Sequence, residues 1–168
     1  TYSWLNLLPY TFCGLASLVY SLTVLFGKKN CTVMHFIFYF GFFGGLCTLF
    51  YPDFLETQTF WDIRSFSGLV HHYLMVCLSV LTFVGGYFQP RLKKWYVFPL
   101  GFSLMMLLGL FELDALGFAE AMNIGKPLVG SLPVLTSWYV LFAVGTAVVL
   151  VFSWAYERWG KRSAGKQN

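Results

Sequence analysis

Residues 67–88 read SGLVHHYLMVCLSVLTFVGGYF, a run without Asp, Glu, Lys or Arg that carries two adjacent histidines, His71 and His72. An α-helix rises about 1.5 Å per residue, so roughly 20 apolar residues cross the hydrocarbon core of a bilayer. A stretch this long and this apolar reads as a membrane helix. Four more stretches of the same kind lie near 4–26, 32–51, 95–111 and 136–156. The composition agrees: 58% of the 168 residues are hydrophobic and 11% are charged, against about 25% charged in a soluble domain. The expected fold is an all-α, polytopic transmembrane helix bundle with five spans. They form a single transmembrane domain over residues 1–168, with no internal repeat. All six Trp (4, 61, 95, 138, 154 and 159) fall at or near proposed span ends, where indoles favour the headgroup region.

The charges orient the bundle. Five alternating spans put loops 27–31 and 89–94 and the tail 157–168 on one side, with nine of the eleven basic residues. The other side has Arg64 and Lys126 together with six of the seven acids: Asp53, Glu56, Asp62, Glu112, Asp114 and Glu120. Basic loops stay cytoplasmic during insertion, so a multi-pass protein of the cell membrane is expected, its C-terminal tail inside. Positive charge divided among three short membrane-flanking segments excludes nucleic acid as a partner. Thr1 falls outside with no signal peptide before it. A helix upstream, and six or more spans in the full protein, would account for that.

In the outer half, the polar side chains suggest chemistry. Cys13 lies about 13 Å down the first span and His72 about 7 Å down the third, roughly one helical turn apart. Cys77 and Cys47 are geometric rivals for the thiol. A base beside a thiol generates the thiolate that attacks an acyl carbonyl, so the pairing suits acyl transfer or hydrolysis. Asp53, Asp62, Glu112 or Asn123 would orient the imidazole. Against this stand blander roles. Free Cys packs as a small apolar side chain, and one of His71 and His72 can simply bond a neighbouring helix. Successive residues point about 100° apart on a helix, so the two histidines are not expected to serve one site. His35, at the basic end, is expected at the interface. The cysteines show no ligand spacing, and neither cofactor nor metal is expected.

The order of motifs resembles the YwaF-like family of integral membrane proteins, whose eukaryotic relatives include transmembrane protein 164. LPYTFCGL (8–15), FYFGFFGGLCTLFYPD (38–53), RSFSGLVHHYLMV (64–76), GYFQPR (86–91) and AMNIGKPLVGSLPVLTSWYVL (121–141) carry the likeness, which extends over nearly all of 5–156. Tyr10 and Thr11 depart from the His-containing pair expected there in bacterial members. The resemblance implies a phospholipid acyltransferase using a Cys and a His, here Cys13 and His72, with His71 one position early; Asn123 stays the orienting candidate read from the outer loop. Membrane lipid is then the expected partner. Two rival functions remain: a small-solute binder or transporter subunit lined by His71, His72 and Glu112, and a structural subunit docking with other membrane proteins.

Overall fold

A computed structural model describes residues 8–52, 59, 61–122, 124, 134 and 137–164. Within them the chain is all-helical: α1 (Phe12–Phe26), α2 (Met34–Phe50), α3 (Ile63–Val84), α4 (Val97–Asp114) and α5 (Trp138–Ala164). A short 3₁₀ turn, Leu92–Lys94, precedes α4. Three segments are long and apolar enough to cross a membrane, Ser65–Val84, Leu92–Asp114 and Trp138–Trp159, whereas α1 and α2 are shorter apolar helices.

α2 is the hub. All of Met34–Tyr39 is buried, as a helix that is apolar on every side requires. Its glycines admit two neighbours closely: a Cβ on Gly41 would meet the Tyr20 ring of α1 at 3.0 Å, and one on Gly45 would meet Val76 of α3 at 2.8 Å. Aromatic rings fill the other sides. Phe36 packs on Phe98 of α4 with centroids 5.9 Å apart, and Phe38 stacks on Phe88 at 4.1 Å. The Tyr39 hydroxyl reaches Ser153 of α5 at 2.8 Å. Midway, Phe40–Gly44 widens into a π turn, a local bulge that is frequent at functional sites.

The turns after α1 and α3 are stitched together. Asn30 N–H donates to Tyr87 O at 2.9 Å, and the Tyr87 hydroxyl donates to Gly27 O at 2.7 Å. Leu92 N–H donates to Glu157 Oε1 of α5 at 2.8 Å. Residues 27–31, the 87–95 connection and the C-terminal part of α5 therefore share one end of the bundle. At the opposite end, the segment after α4 folds back until Met122 N–H bonds Tyr10 O at 2.8 Å.

The helices differ from the sequence expectations at their ends. α3 starts at Ile63 rather than 67, so that residues 63–66 add about one turn to its start. It stops at Val84, where Gly86 turns left-handed (φ 68°), a conformation glycine adopts without steric cost. α4 runs to Asp114 and so takes in Glu112. α1 starts at Phe12 rather than near 4, residues 8–11 being non-helical, so Cys13 falls in the first turn of its helix instead of deep along a span. The expected loop 125–133, Trp4, Asp53 and Glu56 lie outside the described residues.

Candidate functional site

Thr11 fixes the start of α1. Its hydroxyl accepts from Gly14 N–H at 3.1 Å while its own backbone is extended (φ −109°, ψ 149°), which is N-cap geometry. Cys13 follows in the first turn, with its thiol half-buried. It lines a cavity of about 250 Å³ whose walls include Phe12, Phe40, Gly44, Cys47, Thr48, Phe102 and Gly145. Four helices, α1, α2, α4 and α5, contribute to those walls. The glycines and the π turn on α2 make the room, and the aromatic rings keep it apolar.

His72 approaches from α3. It is 9% exposed, and its Nδ1 lies 2.7 Å from Gly68 O. A carbonyl can only accept, so Nδ1 carries the proton and the neutral ring keeps a lone pair on Nε2. That Nε2 is buried and has no hydrogen-bond partner among the described residues. The His71 ring stands edge-on to it with centroids 5.1 Å apart, and His71 Nε2 is likewise buried without a partner.

One polar contact sets the relation between α1 and α3. The Tyr20 hydroxyl shares a 2.8 Å hydrogen bond with Thr82 Oγ1 and interacts with Ser79. The two helices run parallel, since their C-terminal ends meet at the Asn30–Tyr87 stitch. Seven residues make about two turns. Stepping back by seven from Tyr20 reaches Cys13, and from Ser79 it reaches His72. Thiol and imidazole thus stand at about one level along the two helices, but the walls of the cavity that Cys13 lines come from α1, α2, α4 and α5, with no α3 residue among them. No hydrogen bond joins thiol and imidazole, since Nε2 is unpartnered.

The other candidates separate. Cys77, half-buried, interacts with Tyr73, which is 59% exposed, and it does not line the cavity that Cys13 lines. Cys47 lines the same cavity as Cys13. Asp62 precedes α3 by one residue, ten residues and thus roughly 15 Å of helix from His72, too far to orient it. Glu112, expected as an outer-loop acid, is a helical residue only 1% exposed, and its Oε2 has no hydrogen-bond partner among the described residues. Asn123 lies outside the described residues. His35 is buried against Phe88 with ring centroids 5.1 Å apart. The Tyr20–Ser79–Thr82 cluster was missed, although three hydroxyls inside otherwise apolar helices are a visible signal.

Hydroxyl, imidazole and thiol groups inside, with leucines and valines outside, define a helical membrane protein. The chain belongs to the TMEM164 family, whose model matches residues 1–156. No curated protein and no solved structure matches the chain.

Proposed function

We propose that this protein is a membrane-embedded acyltransferase that moves a phospholipid acyl chain through a thioester on Cys13, with His72 as general base. The observation that carries this reading is His72 itself: proton on Nδ1, held by Gly68 O at 2.7 Å, and a free lone pair on buried Nε2. In this reading the Gly68 carbonyl does the orienting expected of Asn123 or an outer acid. Catalytic hydrogen bonds often tighten only when substrate is bound, so an unpaired Nε2 is a compatible resting geometry. The apolar cavity beside Cys13 would take the acyl chain.

The chemistry balances in two halves. His72 Nε2 takes the Cys13 thiol proton as the sulfur attacks the ester carbonyl. The acyl–oxygen bond breaks, and His72 returns the proton to the departing lysophospholipid oxygen. An acceptor hydroxyl then gives its proton to His72 and attacks the thioester. The released Cys13 thiolate recovers that proton. With the basic end in the cytoplasm and five helices crossing the cell membrane, the lipid would enter from the outer leaflet.

The test is to incubate the membrane-embedded protein with a phospholipid bearing an alkyne-tagged acyl chain. A hydroxylamine-sensitive label on the wild type, kept in Cys47→Ala and lost in Cys13→Ala, is expected. Equal labelling of Cys13→Ala rejects the thioester. A solute binder is the second reading, favoured by three buried polar atoms without partners among the described residues: His71 Nε2, His72 Nε2 and Glu112 Oε2. It requires solute binding or transport that survives Cys13→Ser and is lost in His72→Ala.

A further inference from the structure

At the end opposite the thiol, the turns 27–31 and 87–94 form a second polar site. Asn30 adopts a left-handed conformation (φ 54°) that aims its amide into the gap between the turns. Gln89 N–H donates to Asn30 Oδ1 at 3.2 Å. An N–H needs an acceptor, which fixes the amide orientation and leaves Nδ2 as the opposite arm. That Nδ2 is buried and has no hydrogen-bond partner among the described residues. Lys94 is half-buried, its ammonium at 3.4 Å from Asn30 O. Lys94 and Arg91 are also the charges that act on buried His35, whose Nε2 lacks a partner too. Glu157, the one acid at this end among the described residues, accepts from Leu92 N–H. Leaving a buried donor unpaired is unfavourable. The unpaired donor and the gathered cations call for one kind of ligand, an anionic oxygen.

We propose that Asn30, Arg91 and Lys94 form a binding site for the phosphate of an anionic phospholipid headgroup. Positive charge alone would follow from the insertion rule; an oriented, orphaned amide beside that charge does not. The site lies where α1 ends at Phe26 and the span that includes α4 begins near Leu92, the position at which basic residues flank a membrane helix. Its occupant therefore comes from the bilayer, and a basic cluster immediately beyond membrane helices selects anionic lipid. The site is independent of the acyl-transfer reading, and its failure would leave that reading untouched.

The experiment uses the full chain in nanodiscs of phosphatidylcholine with or without phosphatidylglycerol, reading retained lipid by native mass spectrometry and thermal stability. Wild type is expected to keep phosphatidylglycerol and gain stability from it. Arg91→Gln and Lys94→Gln should each weaken retention roughly fivefold, the worth of one cation near an anionic surface. Asn30→Gly, which keeps the left-handed turn and removes the donor, should weaken it as well. Lys93→Gln, carrying the same charge change on an exposed neighbour, should retain the lipid as wild type does. Equal losses in Lys93→Gln would mean diffuse surface charge and overturn the site. Full retention in Asn30→Gly would likewise overturn the site, and inorganic phosphate giving the same stabilisation in phosphatidylcholine discs would overturn the lipid assignment.

Discussion

His72 illustrates how a single hydrogen bond assigns a chemical role. The 2.7 Å contact to Gly68 O leaves one tautomer for the neutral ring, so ¹⁵N-labelled protein should show the proton on Nδ1 of His72 and an unprotonated Nε2. The reverse tautomer would remove the proposed base. His72→Gln should lower acyl transfer by about 10²–10⁴-fold, the usual worth of a positioned general base, in a thioester-trapping assay. Tyr20 acts through packing. Tyr20→Phe deletes a hydroxyl that bonds Thr82 at 2.8 Å, while Thr82 keeps its bond to Ser79 O at 2.9 Å. Interhelical bonds of this kind average about 0.6 kcal/mol in membranes, so a small fall in unfolding free energy in detergent is expected. The sequence misjudged the depths of Cys13 and His72, because helix rise counts from the helix start: α1 begins at Phe12 and α3 at Ile63, which puts Cys13 in a first turn and His72 well inside its helix. The sequence also left their facing partners open. Azimuth depends on the Tyr20–Ser79 contact, which joins residues far apart in the chain.

The elements themselves were readable as five apolar stretches, because length and charge decide membrane helices and both are written locally. Their ends were not. Ile63 to Phe66 prolong α3 although Ile63 and Phe66 are exposed, and Glu112 sits within α4, where burial overrides its polarity. The π turn in α2 was also hidden: GFFGG reads as a small-residue packing motif, and only the neighbours decide where the extra residue goes. The packing role is nevertheless testable. A Cβ on Gly45 would meet Val76 Cγ2 at 2.8 Å and His72 O at 3.2 Å, whereas one on Gly44 would meet nothing closer than the Phe40 ring at 4.0 Å. Gly45→Ala should therefore push α3 outward, destabilise the protein by about 1–3 kcal/mol as overpacking does, and reduce thioester formation. Gly44→Ala should be nearly silent in stability. Matching losses from both would mean that the α2–α3 contact does not position His72.

At the scale of the molecule, the burial pattern is that of a protein solvated by hydrocarbon. Leu25, Leu81 and Leu107 are 71%, 69% and 63% exposed, while Ser79, Ser153 and Ser65 are fully buried. Exposed leucines along several helices would be an aggregation liability in water, but they cost nothing against lipid tails. The same organisation gives the two ends different characters. One is stitched by Asn30, Tyr87, Leu92 and Glu157 and gathers the basic segments; the other is capped by Met122 on Tyr10. If basic residues stay inside during insertion, Thr59→Cys, exposed before α3, should react with an impermeant maleimide on intact cells. Lys29→Cys, exposed after α1, should react only once the membrane is opened. The opposite labelling would put Cys13 and His72 in the cytoplasmic leaflet. The donor lipid would then have to come from that leaflet, even with the bond-making steps at the thiol unchanged.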